Sequence, residues 1–71
     1  MNVEILTAIK ETGFYDEFER KDEYTIRRAI KQLRINQYIT DYQYKYSDSE
    51  IEMVIANITN KGLRFLNDIT E

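Results

Sequence analysis

The segment from Tyr24 to Arg34 carries an apolar stripe that an α-helix would gather on one face. At about 100° per residue, Ile26, Ile30 and Leu33 fall within about 60° of one another. The chain has 71 residues, and a chain of this length buries only about 60% of its unfolded surface. We therefore expect a helix over residues 23–36 to supply one wall of a single small core.

A capping residue precedes this helix, and one further helix is predicted on each side of it. Asp22 stands at its N-cap position. Residues 3–12 are predicted to form a helix that Gly13 ends in a left-handed cap. Residues 60–69 are predicted to form the last helix, which Thr59 caps. The apolar residues of these two helices are Ile5, Leu6 and Ile9 in the first and Leu63, Phe65, Leu66 and Ile69 in the second.

Two runs rich in β-branched and aromatic residues predict an antiparallel hairpin over residues 39–46 and 50–58. The cluster Ser47-Asp48-Ser49 supplies the turn between them. Because side chains alternate along a strand, one face of the second strand is expected to hold Ile51, Met53 and Ile55, and the other Glu50, Glu52 and Val54. Before the central helix, residues 14–21 fit either a short helix or an irregular aromatic segment over the core. The expected core includes Ile9, Ile26, Ile30, Leu33, Ile55 and Leu66.

Composition excludes several classes of function. The sequence has no cysteine and no histidine, so disulfides, thiolate chemistry and the usual ligands of a transition metal are missing. Its carboxylates form no recognisable pair beside a base, and we expect no enzyme, no metal site and no small-molecule cofactor. The N-terminus lacks a signal-peptide pattern, and no apolar run approaches the roughly 20 residues of a membrane span. We expect a cytoplasmic protein with no membrane partner and one domain over residues 1–71.

Charge is strongly segregated along the chain. The net charge is −3, but residues 1–19 carry −4, residues 20–34 carry +4 and residues 35–71 carry −3. Four cations of the middle segment lie on the predicted helix, on the arc opposite its apolar stripe: Arg27, Arg28, Lys31 and Arg34. A helix held by the core on one side and cationic on the other suits a polyanion. An ordinary solvated helix face is the alternative interpretation.

Two stretches of the sequence resemble winged helix-turn-helix domains. The stretch Thr25–Leu33, followed by Tyr38-Ile39, is similar to a recognition helix and the apolar pair that opens the first wing strand. The stretch Ile58–Leu66 is similar to the Leu-Thr-x-x-Gly-x-x-x-Leu phrase that follows the wing in MarR- and PadR-like regulators and in small phage winged-helix proteins. In this phrase Gly62 lets the last helix pack closely. Gln37 stands where many such domains have glycine, so it must either adopt a left-handed conformation or extend the turn.

The resemblance implies an α+β winged helix-turn-helix fold, in which helices pack with a two-stranded antiparallel wing hairpin and a C-terminal helix. It also implies a DNA-binding function, as a small transcriptional regulator of phage or mobile-element type. Helix 23–36 would enter the major groove of double-stranded DNA, where Gln32 could read adenine. The predicted DNA-binding residues are Tyr24, Thr25, Arg27, Arg28, Lys31, Gln32 and Arg34 on the helix and Lys45 at the wing tip. For the wing, an ordinary solvated hairpin is the alternative.

Other roles remain open on the sequence alone. The tyrosines Tyr42, Tyr44 and Tyr46 recur at period two, and they suit either stacking on single-stranded nucleic acid or packing across the hairpin. Extra apolar width on the last helix predicts a possible homodimer through Leu63, Phe65 and Ile69. The acidic segments that flank the basic helix also suit a protein-interaction module that binds a charged protein partner and no DNA.

Overall fold

The computed structural model describes residues 2–18 and 22–70, which form three helices and three strands. The helices are α1 (Asn2–Thr12), α2 (Glu23–Ile35) and α3 (Asn60–Thr70). The strands are β1 (Phe14–Tyr15), β2 (Gln43–Ser47) and β3 (Glu50–Ile55), and they form one antiparallel sheet in the order β1-β3-β2. Along the chain the order is α1-β1-α2-β2-β3-α3. The predicted α+β class is confirmed, and all three helices lie within one residue of their expected bounds.

The sheet contains a third strand that the sequence analysis did not predict. β1 pairs with the end of β3, with the partners Phe14–Ile55 and Tyr15–Val54. The start of the ambiguous segment 14–21 is therefore a strand, and the expected two-stranded hairpin is part of a three-stranded sheet. Gly13 directs the chain from α1 into this strand: its φ is 85°, as expected of a left-handed cap, and its carbonyl accepts a hydrogen bond from the Ala56 N–H (3.1 Å). Residues 19–21 of that segment lie outside the described residues.

The hairpin of β2 and β3 is shorter than predicted. Its two-residue turn is Asp48-Ser49, and both residues have positive φ (52° and 69°), which is the pattern of a type I′ turn. The predicted strands began at Ile39 and ended at Ile58. In the structure these two residues form an isolated antiparallel bridge, separated from the paired strands. The predicted turn is thus confirmed, whereas the outer parts of the predicted strands are not regular strand.

A β-bulge in β3 changes which of its side chains face the core. Across the bulge, Lys45 pairs with Met53 and Tyr46 pairs with Ile51. Glu52 is the extra residue between these pairs, so the alternation of faces is interrupted there. Ile51 and Val54 are both buried, although they are three positions apart, whereas Ile55 is 45% exposed. The expectation that Ile55 belongs to the core is therefore wrong, and Val54 takes its place.

The core lies where the helices pack together and against one face of the sheet. Its largest members are Tyr15, Ile5, Leu6, Ile26, Ile30, Leu33, Ile39 and Val54, with Ile9 and Leu66 also buried. The other five residues of the expected core are confirmed, because each is less than 5% exposed. Leu33, Ile26 and Ile30 lie on one side of α2, which leaves the opposite side of this helix to solvent.

Gln37 ends α2 in a Schellman motif. Its φ is 64°, so of the two expected outcomes, a left-handed residue or a longer turn, the structure has the first. The Gln37 N–H donates to the Arg34 carbonyl (3.0 Å), and the Tyr38 N–H donates to the Leu33 carbonyl (2.9 Å). The chain therefore turns sharply away from α2.

Thr59 joins this turn to the start of α3. Its hydroxyl oxygen Oγ1 accepts from the Gly62 N–H (3.0 Å), as an N-cap does, and the hydroxyl donates to the Gln37 carbonyl (2.6 Å). The Thr59 N–H donates to the Tyr38 carbonyl (3.0 Å). The predicted cap of α3 is confirmed, and it also fixes α3 against the end of α2.

Candidate nucleic-acid interface

Two of the four cations on α2 are free on its outer face. Arg28 and Lys31 are exposed, and they make no hydrogen bond, ion pair or ring contact within the described ranges. The sequence has no carboxylate from Tyr24 to Thr40, so no acid of this stretch reduces their charge. They share the face with Tyr24, Gln32 and Ile35, and with Arg27 at one edge these side chains line a shallow groove of about 510 Å³.

Arg27 lies on the flank of α2 that faces the hairpin. Its Nη2 donates to the Tyr46 hydroxyl oxygen (3.2 Å), and its Cζ lies 4.6 Å from the centre of the Tyr44 ring. Its Nε is 3.6 Å from a carboxylate oxygen of Glu23. The hydrogen bond to Tyr46 is the main cause that raises the pKa of Arg27. This predicted DNA-binding cation is thus engaged within the protein, and the sequence did not indicate that.

Arg34 is also paired within the protein. Its Nε donates to Oδ1 of Asp41 at 2.7 Å, and both side chains remain substantially exposed. An exposed ion pair of this kind contributes about 0–1 kcal/mol to stability, so a phosphate could displace the carboxylate at little cost. Even so, Asp41 cancels the charge of Arg34 in the unbound protein. The outer face of α2 therefore presents two cations without a partner in the described residues, Arg28 and Lys31, whereas the sequence predicted four cations there.

Thr25, at the start of α2, is occupied by the helix cap. Oδ2 of Asp22 accepts from both the Thr25 N–H (3.3 Å) and the Thr25 hydroxyl (3.1 Å). The predicted N-cap is confirmed. Because this carboxylate fills the positive end of the helix, a phosphate contact at Thr25 would have to compete with Asp22.

Lys45 and the turn of the hairpin are exposed, but Lys45 does not join the cations of α2. Tyr44 and Tyr46 lie on the face of the sheet that contacts Arg27. Because side chains alternate along β2, Lys45 lies on the opposite face. Asp48 at the turn and the adjacent Glu50 add negative charge to the tip. Of the predicted site residues, the groove on α2 brings together Tyr24, Arg27, Arg28, Lys31 and Gln32. Thr25, Arg34 and Lys45 lie outside it.

The three tyrosines of the hairpin pack against the rest of the protein to different extents. Tyr42 and Tyr44 are half-buried, and their rings meet edge to face with centres 5.5 Å apart. Tyr44 also meets Phe18 edge to face (6.5 Å) and is the cross-strand partner of Val54. Desolvation on burial, followed by the nearby Tyr42, raises the pKa of Tyr44. These contacts favour the packing interpretation of the tyrosines over a stacking platform for bases.

The residues predicted for a dimer contact on α3 lie in different environments. Phe65 stacks on Tyr38, with ring centres 4.5 Å apart and an angle of 19° between the planes. Leu63 is half-buried, whereas Ile69 is 47% exposed. Phe65 is therefore already packed within one chain, and Ile69 is the most exposed apolar residue of α3.

No described helix of residues 2–18 and 22–70 has the length and apolar character to cross a bilayer. Comparisons of the chain with protein-family models, with curated proteins and with solved structures found no match.

Proposed function

We propose that this protein binds double-stranded DNA through the outer face of α2, as a small cytoplasmic winged-helix regulator of phage or mobile-element type. One observation carries the proposal: Arg28 and Lys31 project from the face of α2 opposite the core and have no partner within the described residues. Cations without internal partners are available to replace the counterions of a phosphate backbone.

The order of the elements supports the winged-helix part of the proposal. A basic helix ends in a sharp turn at Gln37, the chain passes through a hairpin with a tight turn, and Thr59 and Gly62 then begin a C-terminal helix. One feature differs from a helix-turn-helix, in which a second helix comes before the recognition helix. Here α1 is followed by the strand β1, and residues 14–18 contain no helix. In the proposed complex α2 alone contacts the base edges, and a second helix directly before it is not required.

Binding would place α2 in the major groove, which is about 12 Å wide and admits one helix. Arg28 and Lys31 would contact phosphates, and Gln32 lies beside them to read a base edge. With two free cations we expect a slope of about −2 in a plot of log affinity against log salt concentration. Affinity should be modest, because the protein carries a net charge of −3 and is repelled by the duplex over much of its surface.

The double variant Arg28→Gln/Lys31→Gln is expected to abolish duplex binding while the protein stays folded. Both side chains lie away from the core, so their loss removes charge and little packing. Fluorescence anisotropy with a short duplex, from about 50 to 200 mM salt, measures the change. Over that range the wild-type protein should lose affinity about tenfold.

The matched control is Lys10→Gln/Arg64→Gln, which removes the same charge from exposed positions on α1 and α3. It should weaken binding much less than the α2 variant, because its cations lie outside the proposed interface. Equal losses in the two variants would indicate attraction by net charge alone. The proposal would be wrong if the wild-type protein bound no duplex even at low salt.

A second candidate function is binding to an acidic protein partner through the same face. The large exposures of Tyr24 (68%) and Ile35 (60%) on either side of the free cations favour it, because aromatic and aliphatic anchors are typical of protein interfaces. This alternative predicts no duplex binding at low salt. It also predicts that Ile35→Ala weakens capture of the acidic partner, whereas a duplex held by phosphate contacts would tolerate that change.

Self-association through α3 is a further expectation of the protein-interaction alternative. Ile69→Arg should abolish any dimer, since Ile69 is the most exposed apolar residue that α3 presents. Sedimentation of wild type and variant at increasing concentration measures this. A wild-type protein that stays monomeric into the hundreds of micromolar range would exclude the dimer as a functional state.

A further inference from the structure

Within the described part of the chain, the sheet supports the hairpin only near Val54 and Ile55, where β1 pairs with β3. β1 pairs with Ile55 and Val54, so among the described residues the part of the hairpin from Lys45 to Met53 is two-stranded. An isolated two-stranded hairpin is marginally stable in water. The bulge at Glu52 further interrupts the pairing of this distal part. Its orientation relative to α2 must therefore be set by contacts outside the sheet.

Arg27 provides such contacts at two positions along β2. Its guanidinium covers the Tyr44 ring, with Cζ 4.6 Å from the ring centre, and Nη2 donates to the Tyr46 hydroxyl oxygen at 3.2 Å. Tyr46 is next to the last residue of β2 and is 55% exposed, so the bond reaches the part of the hairpin that the sheet holds least. One side chain of α2 thus joins the helix to both halves of the strand.

The same geometry makes Arg27 a poor phosphate contact. One face of its guanidinium lies against Tyr44, and the Glu23 carboxylate lies 3.6 Å from Nε and would repel a phosphate. Moving the group to a phosphate would break its bond to Tyr46. Arg28, the next residue, carries none of these constraints.

We infer that Arg27 is a positioning residue that holds the hairpin against α2 in an orientation that leaves the outer face of α2 open to a duplex, and that it does not itself contact the DNA backbone. The DNA part of this inference depends on the proposed function, whereas the positioning part concerns the free protein. A planar guanidinium is required, because a lysine in its place would keep the charge but lose the combined stacking and hydrogen bond.

The first test uses the free protein. In Arg27→Gln, amide hydrogen exchange over residues 45–51 should become about fivefold faster, the change that corresponds to loss of one exposed cation–π contact. Arg27→Lys should give part of the same acceleration, because an ammonium can keep a contact with the Tyr44 ring but cannot combine it with the bond to Tyr46. The control Arg28→Gln should leave these amides as in the wild type. Unchanged exchange over residues 45–51 in Arg27→Gln would overturn the positioning role.

The second test uses duplex DNA and the salt dependence of binding. Arg27→Gln and Tyr46→Phe should both weaken binding several-fold with an unchanged salt slope, whereas Arg28→Gln should make the slope shallower by about 0.9. A loss of about 0.9 in the slope for Arg27→Gln would show that Arg27 contacts a phosphate and would overturn the inference. If the wild-type protein binds no duplex, the proposed function fails, and the exchange experiment still decides whether Arg27 positions the hairpin.

Discussion

Leu33→Ala is expected to lower the free energy of unfolding by about 2–5 kcal/mol. Leu33 is fully buried (0% exposed) and belongs to the apolar stripe of α2 that forms one wall of the core. Truncation removes its transfer free energy and leaves a cavity that the neighbouring isoleucines cannot fill without leaving their own positions. A domain of this size has a total stability of only about 5 kcal/mol or somewhat more, so the variant should be close to unfolded at 37 °C.

Urea denaturation followed by circular dichroism measures this change. The matched control is Ile35→Ala, two positions further along the same helix, where the side chain is 60% exposed. Its effect should stay within about 0.5 kcal/mol, because little buried surface is lost and alanine is the better helix former. Equal stability of the two variants would contradict the assignment of the core to this face of α2.

Local patterns were sufficient to predict the three helices and their caps. The stripe of α2 lies within the eight residues from Ile26 to Leu33, and the caps at Asp22 and Gly13 act within a single helical turn; the structure follows all three. Gln37 is instructive because its left-handed conformation was one of two outcomes expected from its position in a motif, although glutamine has no intrinsic preference for it. Hydrogen bonds within one turn of the chain determine such features, so the residue types at a few neighbouring positions are enough to predict them.

The features that the sequence analysis missed depend on contacts between distant parts of the chain. β1 consists of two residues that pair with β3 about forty positions later, and no local pattern distinguishes such a strand from a short loop. The bulge at Glu52 exchanges Ile55 for Val54 in the core, because pairing with β2 determines where the register shifts. Period-two alternation alone places these two residues on the wrong faces.

The sequence shows which residues of α2 are cationic but not which of them are engaged within the protein. The arc of cations on α2 is visible in the sequence, yet the partners of Arg27 and Arg34 are fixed only when the hairpin and the preceding loop are in place. A clue existed for Arg27, since tyrosines at period two on a nearby strand are suitable partners for a guanidinium. For the Arg34–Asp41 pair, seven positions apart across a turn, the sequence offered no comparable clue.

Gly62→Ala is expected to lower the free energy of unfolding by about 1–3 kcal/mol, the usual cost of overpacking. At an open helical position the same change would stabilise the protein by up to about 1 kcal/mol, because alanine is the better helix former. Here the added Cβ would overlap the Tyr38 carbonyl oxygen and would lie 2.8 Å from Cγ1 of Ile58. The clash with a backbone atom therefore decides the sign of the effect.

The Tyr38 carbonyl cannot move away freely, because it accepts the Thr59 N–H (3.0 Å) at the start of α3. Displacing it would also disturb the cap that joins α3 to the end of α2. Thermal and urea unfolding measure the loss, and Asn60→Ala, at an exposed position in the same helical turn, is the control, with an expected change within about 0.5 kcal/mol. A Gly62→Ala protein as stable as the wild type, or more stable, would show that α3 does not pack against Tyr38 as closely as the structure indicates.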